Sequence, residues 1–285
     1  MSKKPKVGMW SGLTAVTAVL TAGAIVGTTV AFHYTTTVNN YLDADTYKII
    51  KGDSDEDTEY FKSDFTSDEE RESYEAELCA QVEAEGAALL KNDNNALPLA
   101  RGAKVSLFGH GSVDLMYGGT GSGSVDTSKA PNFKQALEDQ GIQVNSTLWD
   151  LYSSDDMMKN YSRITPAAIS DTLEANTQYA VNEAPWSKLS SAESSFADYG
   201  DAAIVVFSRS GGEGADLSYG EVNYLALDEN EKAMLQNVAE MKKNGTVKKT
   251  ILLINSANAL QVDFLKNNEY DIDAALWIGD VGISG

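Results

Sequence analysis

Five short apolar runs, set apart by stretches of helical character, limit most strongly what this chain can fold into. The runs occupy residues 105–108, 142–144, 202–207, 250–254 and 274–278. Residues 202–207, Ala-Ala-Ile-Val-Val-Phe, form the strongest of them. Apolar side chains at consecutive positions predict strands that are buried on both faces, as in a parallel sheet.

The intervening segments predict the helices that would cover such a sheet. Their boundaries are predicted as residues 67–90, 132–140, 227–243 and, for one short helix, 262–266. Ser67 is a suitable N-cap, with Glu69 and Glu70 in the first turn. Strands alternating with helices predict an α/β fold, a mostly parallel sheet with helices on both faces. Only seven residues follow the fifth run, so the α/β sandwich is expected to be incomplete at its C-terminus.

The N-terminus has the pattern of a membrane anchor. Lys3, Lys4 and Lys6 precede 26 uncharged residues at positions 7–32, more than the ~20 that span a bilayer as a helix. The apolar region is longer than that of a cleaved signal peptide, which favours an uncleaved signal anchor over a cleaved signal. Residues 1–6 are then a cytoplasmic tail, and the rest of the chain is extracytoplasmic on the cell membrane.

The residues that follow this segment are strongly acidic. The whole chain carries a formal net charge of −20, and no Asp or Glu occurs in the first 42 residues. Such a surface repels phosphate backbones, so no nucleic-acid partner is expected. The acidic stretch within residues 33–66 is interpreted as an extracytoplasmic linker. One cysteine and two histidines give no basis for a disulfide framework or a structural zinc site, and no metal or cofactor is predicted.

In a parallel α/β sheet, ligands bind at the carboxyl ends of the strands, where this chain has three glycine-rich segments. The first, which begins at Gly109 and Gly111, has Asp114 where a dinucleotide fingerprint needs its third glycine. The second, residues 118–123, lacks the Lys that a phosphate loop requires. A serine hydrolase would depend on His110, yet no Gly-x-Ser-x-Gly elbow is present, and a loop histidine bonded to backbone is expected instead.

Glu213 lies in the third segment, where glycines frame a carboxylate directly after the strongest strand. The sequence there is Gly-Gly-Glu-Gly-Ala-Asp at residues 211–216, with Arg209 before it. A carboxyl group on such a loop can enter a neighbouring pocket, where partial desolvation would raise its pKa as a general acid requires. A solvated loop glutamate is the alternative interpretation of the same residues.

Several motifs in one order resemble the α/β-sandwich domain of glycoside hydrolase family 3, which includes β-glucosidases. The motifs are Glu-Gly-Ala-Ala-Leu-Leu-Lys-Asn at 85–92, Leu-Pro-Leu at 97–99, the glycine loop at 118–123, residues 211–216, and Ala-Ala-Leu-Trp-Ile-Gly at 274–279. The resemblance implies a family 3 sandwich domain, truncated, at residues 67–285. The linker at residues 60–64 and the helix after it resemble the subgroup with reversed domain order, here in a membrane-anchored member.

The family resemblance also implies the chemistry. It identifies Glu213 as the general acid/base of a retaining β-glycosidase acting on an oligosaccharide or β-glucoside. The nucleophile, an Asp, would lie on a barrel domain that follows residue 285, so this chain would be an N-terminal fragment without activity of its own. Arg209 and Asp216 are expected to support the Glu213 loop, with Gly119 and Ser122 on the side that faces the barrel and substrate.

A second function remains open on the sequence. The chain could be a non-catalytic, membrane-anchored surface module that binds a carbohydrate or a protein. A barrel sequence in frame after residue 285 would favour the enzyme, whereas a stop codon there would favour the module.

Overall fold

The computed structural model of this chain describes residues 7–42, 61–128, 130–165, 179–212, 217 and 223–284. The chain divides into two compact units, Met1–Ser63 and Asp64–Gly285. Each unit is described by itself.

The described part of the first unit is helical. Helix α1 spans Val7–His33 and helix α2 spans Thr35–Tyr41. Residues Trp10–His33 are long and apolar enough to cross a membrane, a property that signal sequences share. The hydroxyls of Thr14 and Thr17 bond back to carbonyl oxygens four residues earlier, at 2.9 and 2.8 Å. Because these bonds satisfy the hydroxyl groups within the helix, threonine is compatible with an apolar surrounding.

The second unit contains the sheet and the helices that cover it. In chain order its elements are α3 (Asp68–Gly86), β1 (Ala88–Asn92), β2 (Lys104–Phe108), α4 (Phe133–Asp139), β3 (Gln143–Val144), α5 (Ser146–Tyr152), α6 (Asp155–Asn160), β4 (Ala202–Arg209), α7 (Glu229–Lys243), β5 (Thr250–Ser256), α8 (Phe264–Asn267) and β6 (Ala274–Trp277).

The strands form one sheet in the order β1-β6-β5-β4-β2-β3. Strand β1 pairs antiparallel with β6, and every other neighbouring pair is parallel. All eight residues of β4, at the centre of the sheet, are buried. The predicted α/β fold with a mostly parallel sheet is therefore confirmed.

Successive side chains of the central strands enter two separate cores, as the two-residue period of a strand requires. Val205 and Phe207 of β4 join Leu252 of β5 in the core covered by α5 and α7. Ile204 and Val206 point to the opposite face, with Ile251, Leu253 and residues of α4. Helices thus cover both faces, which explains why these strands have no polar side.

The C-terminal end predicted for the first helix of this unit was wrong. The prediction extended it to residue 90, but α3 ends at Gly86 and Ala88 already belongs to β1. Ala88 lies opposite Trp277, so the backbone of this segment pairs with the outer edge of β6. A short apolar run such as Ala-Leu-Leu fits a helix or a strand equally well. Here it forms a strand because its backbone can pair with the free edge of β6.

Helix α3 is capped but covers no core. The Ser67 side chain accepts a hydrogen bond from the Glu70 backbone N–H, as predicted for an N-cap. None of its residues is buried, and its apolar residues Tyr74, Leu78 and Val82 are exposed. Cys79 is exposed as well.

Candidate active site at the carboxyl edge of the sheet

Strands β2, β4 and β5 end at one edge of the sheet. Phe108 lies opposite Val205, and Arg209, the last residue of β4, lies opposite Ser256, the last residue of β5. The segments that follow these three strands therefore meet at the same place.

The turn after β2 crosses close over β4 and requires glycine. A Cβ atom on Gly109 would lie 2.5 Å from the Val206 carbonyl oxygen, and its φ of +90° is unfavourable for other residues. A Cβ atom on Gly111 would lie 2.6 Å from the Ser208 hydroxyl oxygen. The absence of side chains at both positions lets the turn lie directly against the sheet.

His110 in this turn is buried and faces a carboxylate rather than backbone, contrary to the prediction. Its Nε2 atom lies 3.1 Å from Asp114 Oδ2, and Arg163 Nη2 lies 2.9 Å from the same oxygen. Burial raises the pKa of the Asp114 carboxyl, but His110 and Arg163 together outweigh it, so that its pKa lies below its ordinary value. Asp114 is therefore ionised at neutral pH.

Asn255, near the end of β5, contacts the residues after β2, the end of β4 and the residues after β6. Its Oδ1 atom accepts from the Met116 N–H at 2.5 Å and from the Ser208 hydroxyl at 3.0 Å. Its Nδ2 atom donates to the carbonyl oxygens of Met116 and Gly279, at 3.0 and 2.7 Å. One buried amide thus fixes the residues after β2 and β6 to the end of β4.

Residues 211–212, which directly precede Glu213, pack against the glycine loop at 118–123. The Thr120 N–H donates to the Gly211 carbonyl oxygen at 3.3 Å, and Thr120 forms a parallel bridge with Gly212. A Cβ atom on Gly212 would lie 2.0 Å from Thr120 Oγ1, and one on Gly211 would lie 2.4 Å from Asn258 Nδ2. Gly212 is therefore required by its close approach to the Thr120 backbone, and the absence of a side chain at Gly211 leaves room for the Asn258 side chain.

Arg209 is buried at the end of β4, with 1% of its surface exposed. It forms two hydrogen bonds with the Glu231 carboxylate, at 2.7 and 2.8 Å. It also donates to the carbonyl oxygens of Tyr224 and Ala226, at 2.9 and 3.0 Å. The side chain of Arg209 thus fastens the segment that begins at residue 223 to the end of the strand that leads to Glu213.

Glu183 is a second buried carboxyl group beneath the turn after β2. It is 4% exposed and accepts hydrogen bonds from the backbone N–H groups of His110 and Ala184, both at 2.9 Å. Its pKa is raised to about 8, chiefly by burial; the two N–H groups act to lower it, and the nearby negative charges of Glu231 and Asp228 add to the rise. This group is therefore largely protonated at neutral pH.

The structure locates three of the five predicted site residues. Glu213 and Asp216 lie outside the described residues. Gly119 is half-buried beside Gly211, Ser122 is exposed in the same glycine loop, and Arg209 is buried in its contacts with Glu231.

Sequence reasoning missed the polar residues that hold this edge together. Asn255 and Ser256 end an apolar strand, and polar residues in that place were an available signal. Glu183 carried no such signal, because the His110 N–H group that it binds is 73 positions away in the sequence. The spacing of Asp228 and Glu231 predicts a helix start, but not that Glu231 pairs with Arg209.

A comparison with known protein families identifies the second unit. Residues 87–285 match the model of the glycosyl hydrolase family 3 C-terminal domain. The chain belongs to this family. The match confirms the resemblance found in the sequence and covers the whole sheet described above.

Known proteins similar to this chain include two β-glucosidases. The β-glucosidase of Ruminococcus albus is 30% identical over 212 residues, which are 73% of this chain and 20% of that protein. Beta-glucosidase A of Butyrivibrio fibrisolvens is 35% identical over 146 residues, 49% of this chain and 15% of that protein. This chain therefore spans about a fifth of the length of such relatives.

Solved structures of β-glucosidases contain a region with the same fold. A β-glucosidase from Paenibacillus barengoltzii has a TM-score of 0.55 at 25% identity, covering 73% of this chain and 21% of that one. β-Glucosidase 3B of Thermotoga neapolitana, in complex with glucose, has a TM-score of 0.57 at 24% identity, covering 75% of this chain and 28% of that one.

Proposed function

We propose that this chain provides the acid/base half of a retaining β-glycosidase, with Glu213 as the general acid/base. The substrate is a β-glucoside or a short oligosaccharide, and the nucleophile is an Asp on a barrel domain outside residues 1–285. The observation that carries the proposal is the glycine packing at residues 211–212, which fixes the backbone next to Glu213 at the ligand-binding edge of the sheet.

The reaction needs two carboxyl groups in opposite protonation states, about 5–5.5 Å apart across the sugar. Protonated Glu213 gives its proton to the glycosidic oxygen while the Asp attacks the anomeric carbon, forming a covalent glycosyl-enzyme. Glu213, now ionised, takes a proton from the water that releases the sugar. An acid/base carried on one domain and a nucleophile on another meet only when the two domains enclose the substrate, which also excludes bulk water.

The neighbouring residues have positioning roles in this proposal. Arg209 holds the backbone around Glu213 through the carbonyl oxygens of Tyr224 and Ala226, and Asp216 supports the same loop. Gly119 keeps the glycine loop close to Gly211, and Ser122 faces the substrate side. The family match and the contact between these two loops support this arrangement.

The N-terminal part has an anchoring role in the proposal. Residues 1–6 lie in the cytoplasm, residues 7–32 are an uncleaved signal anchor, and residues 33–66 are an acidic linker outside the cell membrane. The sandwich domain at 67–285 is then extracytoplasmic. Helix α1 and the lysines before it support this topology.

The acid role of Glu213 is tested with two leaving groups in the full-length protein. In Glu213→Gln, kcat/KM for cellobiose should fall about 10²–10⁴-fold, because a sugar alkoxide needs the proton. For an aryl glucoside with an acidic phenol as leaving group, the fall should be much smaller. Glu221→Gln, which neutralises another acid of the same segment, is the matched control and should retain both activities. Equal rates for Glu213→Gln and wild type on cellobiose would reject the role.

A further inference from the structure

A cavity of about 370 Å³ opens beside the glycine loop. Its polar lining comes from Asp114, Tyr117, Ser124, Thr127 and Asn132, and the backbone of residues 118–119 completes the wall. The volume lies within the ~300–1,000 Å³ range of small-molecule sites. The cavity is therefore large enough for one small organic ring.

Asp114 gives this cavity its chemical character. Its side chain is 33% exposed and its Oδ2 atom is held by His110 and Arg163, while Oδ1 has no partner among the described residues. Arg163 balances the negative charge, so the carboxylate offers an ionised hydrogen-bond acceptor without a strong net field. Tyr117 adds a half-buried aromatic ring whose hydroxyl is already bonded to the Pro131 carbonyl oxygen.

This combination suits a neutral polyhydroxyl ligand. Hydroxyl groups donate well to an ionised carboxylate, and such charge-assisted bonds are stronger than neutral ones. The apolar face of a pyranose ring can pack on an aromatic side chain. An anionic group has no hydrogen to donate to the Asp114 carboxylate, and an apolar ligand would leave that carboxylate desolvated without a partner.

The cavity adjoins the backbone that leads to Glu213. Gly119 lines it, and a Cβ atom at that position would lie 3.5 Å from the Gly211 carbonyl oxygen. A general acid protonates the oxygen that joins the two sugars, so the departing sugar must lie next to it. We infer that this cavity is the subsite for the leaving-group sugar, an inference that rests on the proposed role of Glu213. Asp114 would accept hydrogen bonds from the hydroxyl groups of that sugar.

The inference is tested by changing the leaving group while keeping the transferred sugar. Asp114→Asn in the full-length protein should lower kcat/KM for cellobiose at least tenfold and that for 4-nitrophenyl β-glucoside less than threefold. Asp126→Asn, the same change at an exposed acid that does not line the cavity, is the control and should alter neither value. An equal fall on both substrates, or no fall on cellobiose, would overturn the inference.

A direct measurement separates this inference from the role of Glu213. Titration of residues 1–285 with cellobiose, followed by ligand-observed NMR, should show saturable binding that Glu213→Gln retains. Thr127→Trp, which fills the cavity from its rim, should abolish that binding even if Asp114→Asn fails to fold. Absence of saturable binding in the wild-type chain would refute the subsite, whereas unimpaired hydrolysis by Glu213→Gln would refute the acid/base role.

Discussion

At the residue scale, Glu183 shows how burial can set the charge of a group that sequence patterns do not single out. Both of its oxygens accept backbone N–H groups, so it ties the His110 turn to residue 184. Its raised pKa means that the folded chain holds a proton that the unfolded chain releases. Linkage then requires stability to depend on pH across the interval between the two values.

We expect unfolding free energy to fall as pH rises from about 4.5 to about 8. The pKa of Glu183 is raised from 4.5 in the unfolded chain to about 8 in the folded chain. The stabilisation that this group provides is therefore fully present below pH 4.5 and is lost as the pH rises to about 8. One proton accounts for at most ~1.4 kcal/mol per pH unit. Urea unfolding between pH 5 and 8.5 measures this slope.

Glu183→Gln isolates the contribution of this carboxyl group to the slope. Its amide has only one oxygen for two N–H donors, so we expect lower stability at pH 5 by about 1–3 kcal/mol. Its slope with pH should be smaller than that of wild type. Glu193→Gln, at an exposed acid, should keep the wild-type slope. An unchanged slope in Glu183→Gln would show that another group is responsible.

At the element scale, two helices with good N-caps differ in what they bury. Helix α7 begins with a capping box between Asp228 and Glu231, and it buries Met234, Leu235 and Val238 in the core. Helix α3 begins with Ser67 and buries nothing. A cap can affect global unfolding only when its helix packs on the core that unfolds cooperatively.

This difference predicts unequal effects for two equivalent substitutions. Asp228→Ala should lower the unfolding free energy by about 1 kcal/mol, the usual cost of losing an N-cap. Ser67→Ala should reduce helical circular dichroism slightly and leave the main unfolding transition unchanged. Equal destabilisation by both substitutions would indicate that α3 packs on the sheet domain in solution.

Sequence patterns predicted best the strands whose residues are all buried. Strands β4 and β5 are buried along their whole length, so their apolar runs matched the structure closely. The helix predicted to reach residue 90 was wrong at its end because β1 depends on pairing with β6, a contact distant in sequence. Helices α5 and α6 were not predicted, although Asn145 and Ser154 cap them.

The candidate site was predictable in part for the same reason. Glycines at 211–212 pointed to an unusual turn after the best strand, and the structure shows their close packing. The residues that hold the neighbouring segments in place by long-range hydrogen bonds could not be predicted from the spacing of residues in the sequence. Asn255 reaches Met116 across 139 positions, and no local pattern encodes such a contact.

At the scale of the whole molecule, we propose that the family 3 domain acts together with a membrane anchor and with a catalytic domain outside residues 1–285. The sandwich contributes a fixed edge, where three strand ends and a glycine loop surround the backbone before Glu213. Residues 1–285 alone are expected to hydrolyse no glycoside, because a displacement that uses two carboxylates cannot proceed with one. The central claim therefore has to be measured in the full-length protein.

Chemical rescue tests that claim most directly. Glu213→Ala in the full-length protein, given 4-nitrophenyl β-glucoside, should accumulate the glycosyl-enzyme, since no base remains to activate water. Added azide, which needs no base, should restore turnover and yield the β-configured glucosyl azide. Wild-type turnover without azide, or no azide product from a folded variant, would contradict the account.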